Sequence, residues 1–182
     1  MLAHIALLRG INVGGQKIVR MERLRASCAA LGFRNVETYL QSGNVVFQAG
    51  RRPLSMLAAQ IGDAIRRDFG FAVSVVVKTS GEMADVIARN PFLRERGIDV
   101  SKLHVTFLSA PVPRRALKNL EGLSRQSDRF YVGRREVYLY CPEGYGRTKF
   151  SNAALEKALS VRGTTRNWRT VTALSEIGSR VR

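Results

Sequence analysis

Glycines and positively charged side chains occur together in a loop that follows the first apolar run of this sequence. The loop runs from Arg9 to Lys17 and contains Gly10, Gly14 and Gly15. Glycines let successive backbone N–H groups converge, and a following helix N-terminus adds partial positive charge, so the loop could hold a phosphate. It matches neither the dinucleotide fingerprint nor the P-loop pattern. The competing interpretation is a structural loop whose glycines supply positive φ.

A polar turn, Gln41-Ser42-Gly43-Asn44, separates the next two predicted strands. In the predicted topology this turn lies at the same end of the sheet as the first loop. The sequence therefore predicts an amide-rich mouth that contains no histidine or carboxylate to serve as a general base, so catalytic residues stay unknown. Its candidate ligand-binding residues are Arg9, Asn12, Gly14, Gly15, Lys17, Gln41, Ser42 and Asn44.

A second glycine-containing loop precedes a predicted helix whose N-cap would be Ser151. An anion at this helix start would meet free N–H groups and two cations. The spacing is not that of a Walker loop. The candidate anion-binding residues are Gly144, Gly146, Arg147, Thr148, Lys149 and Ser151.

Arg162, Arg166 and Arg169 form a basic cluster near the end of the chain. We predict a solvated basic face or contacts to phosphate. A DNA-reading helix pair is the weaker alternative, because the connection from 161 to 167 is longer than the turn of such motifs. Trp168, Val171 and Leu174 have helical spacing and predict a core-facing stripe instead.

Aromatic side chains concentrate in the second half of the chain, at Phe130, Tyr131, Tyr138 and Tyr140. Alternation places Tyr138 and Tyr140 on one face of a strand, where they would either stack on bases or pack inside the protein. His4 and His104 fall within strands and are expected to be structural. The sequence has no metal-ligand spacing and no clustered carboxylates, so we expect no metal and no cofactor.

Hydrophobic periodicity predicts six elements in the first half, in the order strand, helix, strand, strand, helix, strand. This order is the split βαβ arrangement of an α+β, ferredoxin-like sandwich with both helices on one face of an antiparallel sheet. The predicted ranges are 3–9, 20–31, 36–41, 45–48, 54–69 and 72–78.

The second half repeats most of this order after a bridging helix over 81–90. We interpret the pattern as an internal duplication whose final strand is lost or much shortened and is replaced by a terminal helix. The predicted ranges are a strand over 102–109, a helix over 114–123, strands over 130–132 and 136–141, and helices over 152–160 and 168–177. The domain boundaries that follow are 1–79, 80–101 and 102–182.

Three segments in register, LLRGINVGGQKIVRM, TYLQSGNVVF and TTRNWRTVTAL, resemble the bacterial domain-of-unknown-function family 1697 over essentially the whole chain. The resemblance implies a soluble α+β protein built from ferredoxin-like halves. It brings no established reaction, cofactor or catalytic residue. Where such sequences often have Ser-Lys-Leu, this chain has Thr148-Lys149-Phe150, which keeps the hydroxyl and the cation.

The formal net charge of the 182 residues is +16, from 30 basic and 14 acidic side chains. Such a surplus attracts polyanions, although an arginine-rich composition can also reflect genome bias. We expect a phosphate-bearing partner, and we favour nucleic acid over a phosphorylated small molecule. The alternatives are an enzyme acting on a small anionic metabolite or nucleotide, and a protein-interaction scaffold.

No apolar run reaches the roughly 20 residues of a membrane helix, so we expect no membrane partner. Cys28 and Cys141 predict buried free thiols and a cytoplasmic protein. The oligomeric state stays open.

Overall fold

The computed structural model describes residues 1–124 and 127–181. It contains two compact units: unit 1 comprises Met1–Asp85 with Ala173–Arg182, and unit 2 comprises Val86–Thr172. The carboxyl-terminal residues therefore group with unit 1, whereas the boundaries predicted from sequence follow the order of the chain.

Unit 1 is built around a four-stranded antiparallel sheet with the strand order β2-β3-β1-β4. This is the predicted split βαβ arrangement, so the α+β, ferredoxin-like prediction is confirmed. The elements are β1 (Leu2–Leu8), α1 (Met21–Ala30), β2 (Arg34–Tyr39), β3 (Asn44–Ala49), α2 (Leu54–Phe69), β4 (Val75–Thr79) and most of α3 (Ser80–Ala88), which belongs to unit 2 from Val86 onward.

The core of unit 1 lies between the sheet and the helices α1 and α2. Alternate strand residues such as Leu8 and Phe47 are fully buried in this core, together with Leu57 and Ile61 of α2. The i, i+4 spacing of the two α2 residues puts them on one helix face. Helix α2 has the predicted bounds and ends where Gly70 adopts a left-handed conformation, with φ of 81°.

Unit 2 repeats this strand order, as β6-β7-β5-β8, in a second antiparallel sheet. The predicted helix over 114–123 is a 3-10 turn, Arg114–Ala116, followed by one short α-helix. The elements are β5 (Leu103–Leu108), α4 (Leu117–Glu121), β6 (Arg129–Val132), β7 (Glu136–Tyr140), α5 (Asn152–Leu159), β8 (Gly163–Asn167) and the first turn of α6 (Trp168–Arg180), which belongs to unit 1 from Ala173 onward.

The prediction that the final strand of the second half is lost or much shortened is wrong, because β8 occupies that place and has five residues, as many as β4. Its sequence, GTTRN, contains no large apolar residue and therefore carries no hydrophobic strand pattern. The strand is instead joined to β5 by ladder pairing and by a 2.7 Å hydrogen bond between the hydroxyls of Thr106 and Thr165. A strand between α5 and α6 also excludes a helix-turn-helix pair in this segment.

Helix α6 also runs further than predicted, through Gly178 to Arg180. A Cβ atom at Gly178 would lie 3.2 Å from Cδ1 of Ile5, so glycine serves here as a site of close packing rather than as a helix stop. Trp168, Val171 and Leu174 are all buried, as their helical spacing predicts. None of the helices in the described residues has the length and apolar character needed to span a bilayer.

Candidate functional site

The first predicted loop of unit 1 is organised around the side chain of Asn12. Its Oδ1 accepts a 2.8 Å hydrogen bond from the Val19 N–H, and its Nδ2 donates to the carbonyl oxygens of Val19 and Gln41 at 3.0 and 2.8 Å. Asn12 has φ of 54°, a left-handed conformation that asparagine tolerates better than most residues. Its amide therefore joins the loop to the polar turn, which lies at the same end of the sheet.

Residues 12–17 form a small hairpin whose tip is Gly14-Gly15. Both glycines have positive φ, 60° and 73°, and the Gln16 N–H donates to the Val13 carbonyl across the turn. Two successive left-handed residues are typical of a type I′ turn. The Lys17 Nζ donates to the carbonyl oxygen of Ala72 at 3.1 Å. Solvent thus reaches the glycine tip, whereas the lysine ammonium contacts a neighbouring loop.

The polar turn between β2 and β3 packs tightly under this loop. The Leu8 N–H donates to the Gly43 carbonyl at 2.8 Å, and a Cβ atom at Gly43 would lie 2.8 Å from the side chains of both Leu8 and Ile11. Asn44 is buried and its Nδ2 donates to the Tyr39 carbonyl and to the Ser42 hydroxyl.

The structure therefore brings the predicted mouth residues of unit 1 together. The side-chain amides of Asn12 and Asn44, however, form hydrogen bonds to neighbouring groups of the protein. Gln41 and Ser42 are exposed, and Arg9 is half-buried beside β4, where its N–H donates to the Ser74 carbonyl. Two apolar side chains next to the glycine tip, Val13 and Ile18, are more than half exposed. The surface at this end of the sheet is therefore partly apolar.

The second predicted loop, in unit 2, is anchored by a buried carboxylate. Asp128 accepts a 2.7 Å hydrogen bond from the Thr148 hydroxyl, which in turn accepts from the Phe150 N–H. Gly144 has a positive φ of 92°, a conformation that glycine adopts without strain. A carboxylate beside Thr148 opposes an anion at that hydroxyl. We conclude that Thr148 closes the loop rather than lining an anion site.

The remaining residues of the second loop lie nearer the surface. The Ser151 hydroxyl caps α5 by accepting from the Ala154 N–H at 3.2 Å, as predicted for an N-cap. Arg147 and Glu143 form an exposed ion pair at 4.0 Å, a geometry that contributes little stability. Gly146 and Lys149 are exposed. The accessible cations of this loop are thus Arg147 and Lys149.

The three arginines predicted as phosphate contacts do not share one surface. Arg162 precedes β8 and its side chain is 70% exposed, whereas Arg169 is exposed at the start of α6, beyond the other end of the strand. Arg166 lies between them and is buried; its Nη1 donates to Thr164 and Thr165 of the same strand. Burial lowers the pKa of Arg166 to about 10.

The aromatic face of β6 and β7 is occupied by the protein itself. Tyr138 is buried and its hydroxyl donates to the Val86 carbonyl at 3.0 Å. The guanidinium of Arg129 lies over the rings of Phe92 and Tyr140 and forms a 2.7 Å ion pair with Glu95. Stacking of a base on Tyr138 is therefore excluded.

A cluster of arginines that is not evident from the sequence lies at the other end of the sheet of unit 2. The Leu108 and Ser109 N–H groups, where β5 ends, donate to the carbonyls of Arg135 and Arg162 at 2.9 and 2.8 Å. The Val112 N–H donates to the carbonyl of Arg134 at 3.3 Å. We call this surface the arginine mouth; its residues are Arg114, Arg115, Arg134, Arg135 and Arg162. The two Arg-Arg pairs are visible in the sequence, but the position of Arg162 at the same end of the sheet depends on the pairing of β8 with β5.

The two histidines lie within strands, as predicted. Burial lowers the pKa of His4, which is 1% exposed, and that of His104, whose ring stacks on Tyr145 with centroids 4.7 Å apart. Among the described residues, no group of three or more His, Cys, Asp or Glu side chains could hold a metal ion.

Residues 1–138 match the family model described as "Protein of unknown function (DUF1697)". The chain belongs to this family. Its fold is similar to that of a solved conserved bacterial protein from Streptococcus pneumoniae, with a TM-score of 0.77 and 21% sequence identity over 97% of this chain and 98% of the other. Among curated proteins, none matches the chain.

Family membership and the structural likeness agree on the architecture, which is a two-unit α+β fold. Neither assigns a reaction or a ligand, since the family is described as one of unknown function. The function of this member of the family therefore has to be inferred from the charge and geometry of its own residues.

Proposed function

We propose that this protein binds a phosphate-bearing polyanion, and specifically nucleic acid. The observation that carries the proposal is that burial does not reduce the charge surplus of +16. The described residues bury two cations, Lys78 and Arg166, and two carboxylates, Asp128 and Glu136. The surplus therefore belongs to the surface, where it attracts polyanions.

The loops add groups of the kind that contact phosphate. The Gly14-Gly15 tip exposes a turn of two left-handed glycines, and the second loop exposes Arg147 and Lys149. Backbone N–H groups and cations are common partners of phosphate oxygens. The mouth of unit 1 offers no carboxylate or histidine at these positions, which favours binding over acid–base catalysis.

Fluorescence anisotropy with labelled DNA and RNA of mixed sequence tests the proposal. We expect association with both at about 50 mM salt, and a fall in apparent affinity of at least about a thousandfold by 200 mM, as for proteins that contact several phosphates. Absence of association with either nucleic acid at low salt would overturn the proposal. Thermal stabilisation by one nucleotide, persisting at 200 mM salt, would assign the protein to small anionic ligands instead.

A further inference from the structure

The arginine mouth is a convergence of three separate segments at one end of the sheet of unit 2. The segment after β5 contributes Arg114 and Arg115, the turn between β6 and β7 contributes Arg134 and Arg135, and the residue before β8 contributes Arg162. Because β5 lies between β7 and β8, Arg135 and Arg162 flank it from opposite sides, with backbones about 10 Å apart at the usual strand spacing. The Nη2 of Arg135 reaches across to donate to the Ser109 carbonyl at 2.7 Å.

The carboxylates near this end are held by backbone N–H groups. Glu136 is buried and accepts from the backbone N–H groups of Arg134 and Arg135 at 3.2 and 3.3 Å. Glu156 accepts from the Gly163 N–H at 3.0 Å, with an oxygen 3.5 Å from Nη1 of Arg162.

Within the described part of the chain, this contact to Arg162 is the one ion pair that a guanidinium of the mouth makes. Glu121, on the neighbouring helix α4, is exposed. Arg114, Arg115 and Arg134 are exposed as well. The five arginines of the mouth therefore outnumber these three carboxylates, of which Glu136 and Glu156 accept bonds from backbone N–H groups.

The fold does not require arginine at these positions, because unit 1 builds the same end with small residues. There, Leu8 donates to the carbonyl of Gly43 and Arg9 donates to that of Ser74. The equivalent acceptors in unit 2 are Arg135 and Arg162. The two equivalent strand ends thus differ in charge at both acceptor positions, which shows that the fold does not need arginine at 135 or 162.

We propose that the arginine mouth is the surface that binds the phosphate backbone of nucleic acid. This inference rests on the proposed function and locates it in unit 2 rather than at the glycine tip of unit 1. Guanidinium groups pair with phosphate oxygens in bidentate fashion. The segments 109–115, 133–135 and 160–162 contain no aromatic side chain on which a base could stack. Binding is therefore independent of base sequence.

A matched pair of triple variants tests the location. R114Q/R115Q/R134Q removes three exposed charges of the mouth, whose side chains make no hydrogen bond within the described residues. R51Q/R52Q/R66Q removes three exposed charges of unit 1 and gives the same net charge. Both proteins are first compared with the parent by circular dichroism and thermal melting, so that a folding defect is recognised. Affinity for a labelled mixed-sequence DNA duplex is then measured across a salt series.

We expect the mouth variant to lose at least about tenfold in affinity and to lower the slope of log K against log salt by about 2–3, whereas the control changes the slope by less than about 1. Equal losses in the two variants would overturn the location while leaving nucleic-acid binding in place. A parent protein that does not bind at low salt would overturn the proposed function itself. A strong preference of the parent for one DNA sequence would contradict backbone recognition.

Discussion

The backbone N–H of Ser109 donates to the carbonyl oxygen of Arg162 at 2.8 Å, in the position where Arg9 donates to Ser74 at 2.9 Å in the other unit. The bond ties the end of the central strand to the segment that enters the edge strand. Both sheets have the same strand order, so the two bonds close equivalent ends. The same scaffold therefore presents two different surfaces: the one in unit 1 combines amide and apolar groups with Arg9 and Lys17, and the one in unit 2 contains five arginines.

Replacing Gly43 by alanine tests how tightly the turn of unit 1 packs under its loop. The new Cβ would lie 2.8 Å from Leu8 and Ile11 atoms, and alanine would have to adopt φ of 77°. We expect a loss of about 2–5 kcal/mol in the free energy of unfolding, from overpacking and backbone strain together. Urea unfolding measures it.

The Gly14→Ala variant is the matched control, since Gly14 also has positive φ but no atom lies within 4 Å of the place that a Cβ would take there. Only the backbone strain of about 1–2 kcal/mol is expected at this position. Equal losses at the two glycines would show that the packing under Gly43 relaxes easily.

Asn12 is predicted to stabilise the loop rather than to bind a ligand. Asn12→Gly keeps the positive φ accessible and removes the three hydrogen bonds to Val19 and Gln41. We expect a loss of about 1–3 kcal/mol in the free energy of unfolding, partly because the buried Val19 N–H loses its acceptor.

Gln41→Ala provides the comparison for Asn12, because Asn12 contacts the main chain of Gln41 and the exposed side chain can be removed without breaking that bond. Its effect on stability is expected to stay within about 0.5 kcal/mol. If Asn12→Gly left stability unchanged but reduced affinity for nucleic acid, the asparagine would be a ligand-binding residue after all.

The elements with strong hydrophobic periodicity were predictable from the sequence, and those held by polar contacts were not. Helix α2 has apolar residues on one face and a terminal glycine, and its predicted bounds agree with the structure. Strand β8 has no hydrophobic periodicity, because its pairing is supported by threonine hydroxyls and a buried arginine. These residues are polar, so the hydrophobic pattern does not predict the strand. Polar partners across a sheet are visible only once the neighbouring strand is known.

The same limit applies to the candidate sites. The order of the strands predicts that the glycine loop and the polar turn meet. It does not predict that the amides of Asn12 and Asn44 form hydrogen bonds within the fold. The arginine mouth combines three segments, of which Arg162 gains its position only from β8. A local pattern such as a glycine-rich loop is visible in sequence, whereas a convergence of distant residues requires the register of the sheet.

Stability is predicted to fall as the pH drops from about 7 toward 5, because of His4 and His104. Burial lowers both pKa values in the folded protein, so below the unfolded value of about 6.5 the unfolded chain binds more protons. Each histidine can then contribute a slope of up to about 1.4 kcal/mol per pH unit, with stability rising with pH. Urea unfolding at several pH values measures this slope.

The H4Q/H104Q variant should show a flatter pH dependence over the same range. Asp68 does not interfere, because its hydrogen bonds from Arg67 and Ser27 lower its pKa to about 2 and its contribution is lost only at more acidic pH. An unchanged slope in the double variant would assign the pH dependence to other groups.

The two cysteines are predicted to be unreactive in the folded protein. Both are free and buried, and burial raises the pKa of Cys28 to about 12 and that of Cys141 to about 11. At pH 8 no more than about one thiol in a thousand would be ionised, and the thiolate is the nucleophile. Reaction with a chromogenic disulfide reagent should therefore be slow until denaturant is added, when both thiols react.

A Ser179→Cys variant is the positive control for this reaction, because it places a thiol at an exposed position of α6. It should add one fast-reacting group without denaturant, since an exposed thiol keeps a pKa near the ordinary value of about 8.5. Rapid reaction of the parent protein would mean that one of the buried sites opens readily under native conditions, because a thiol must reach solvent before it can ionise and attack the reagent.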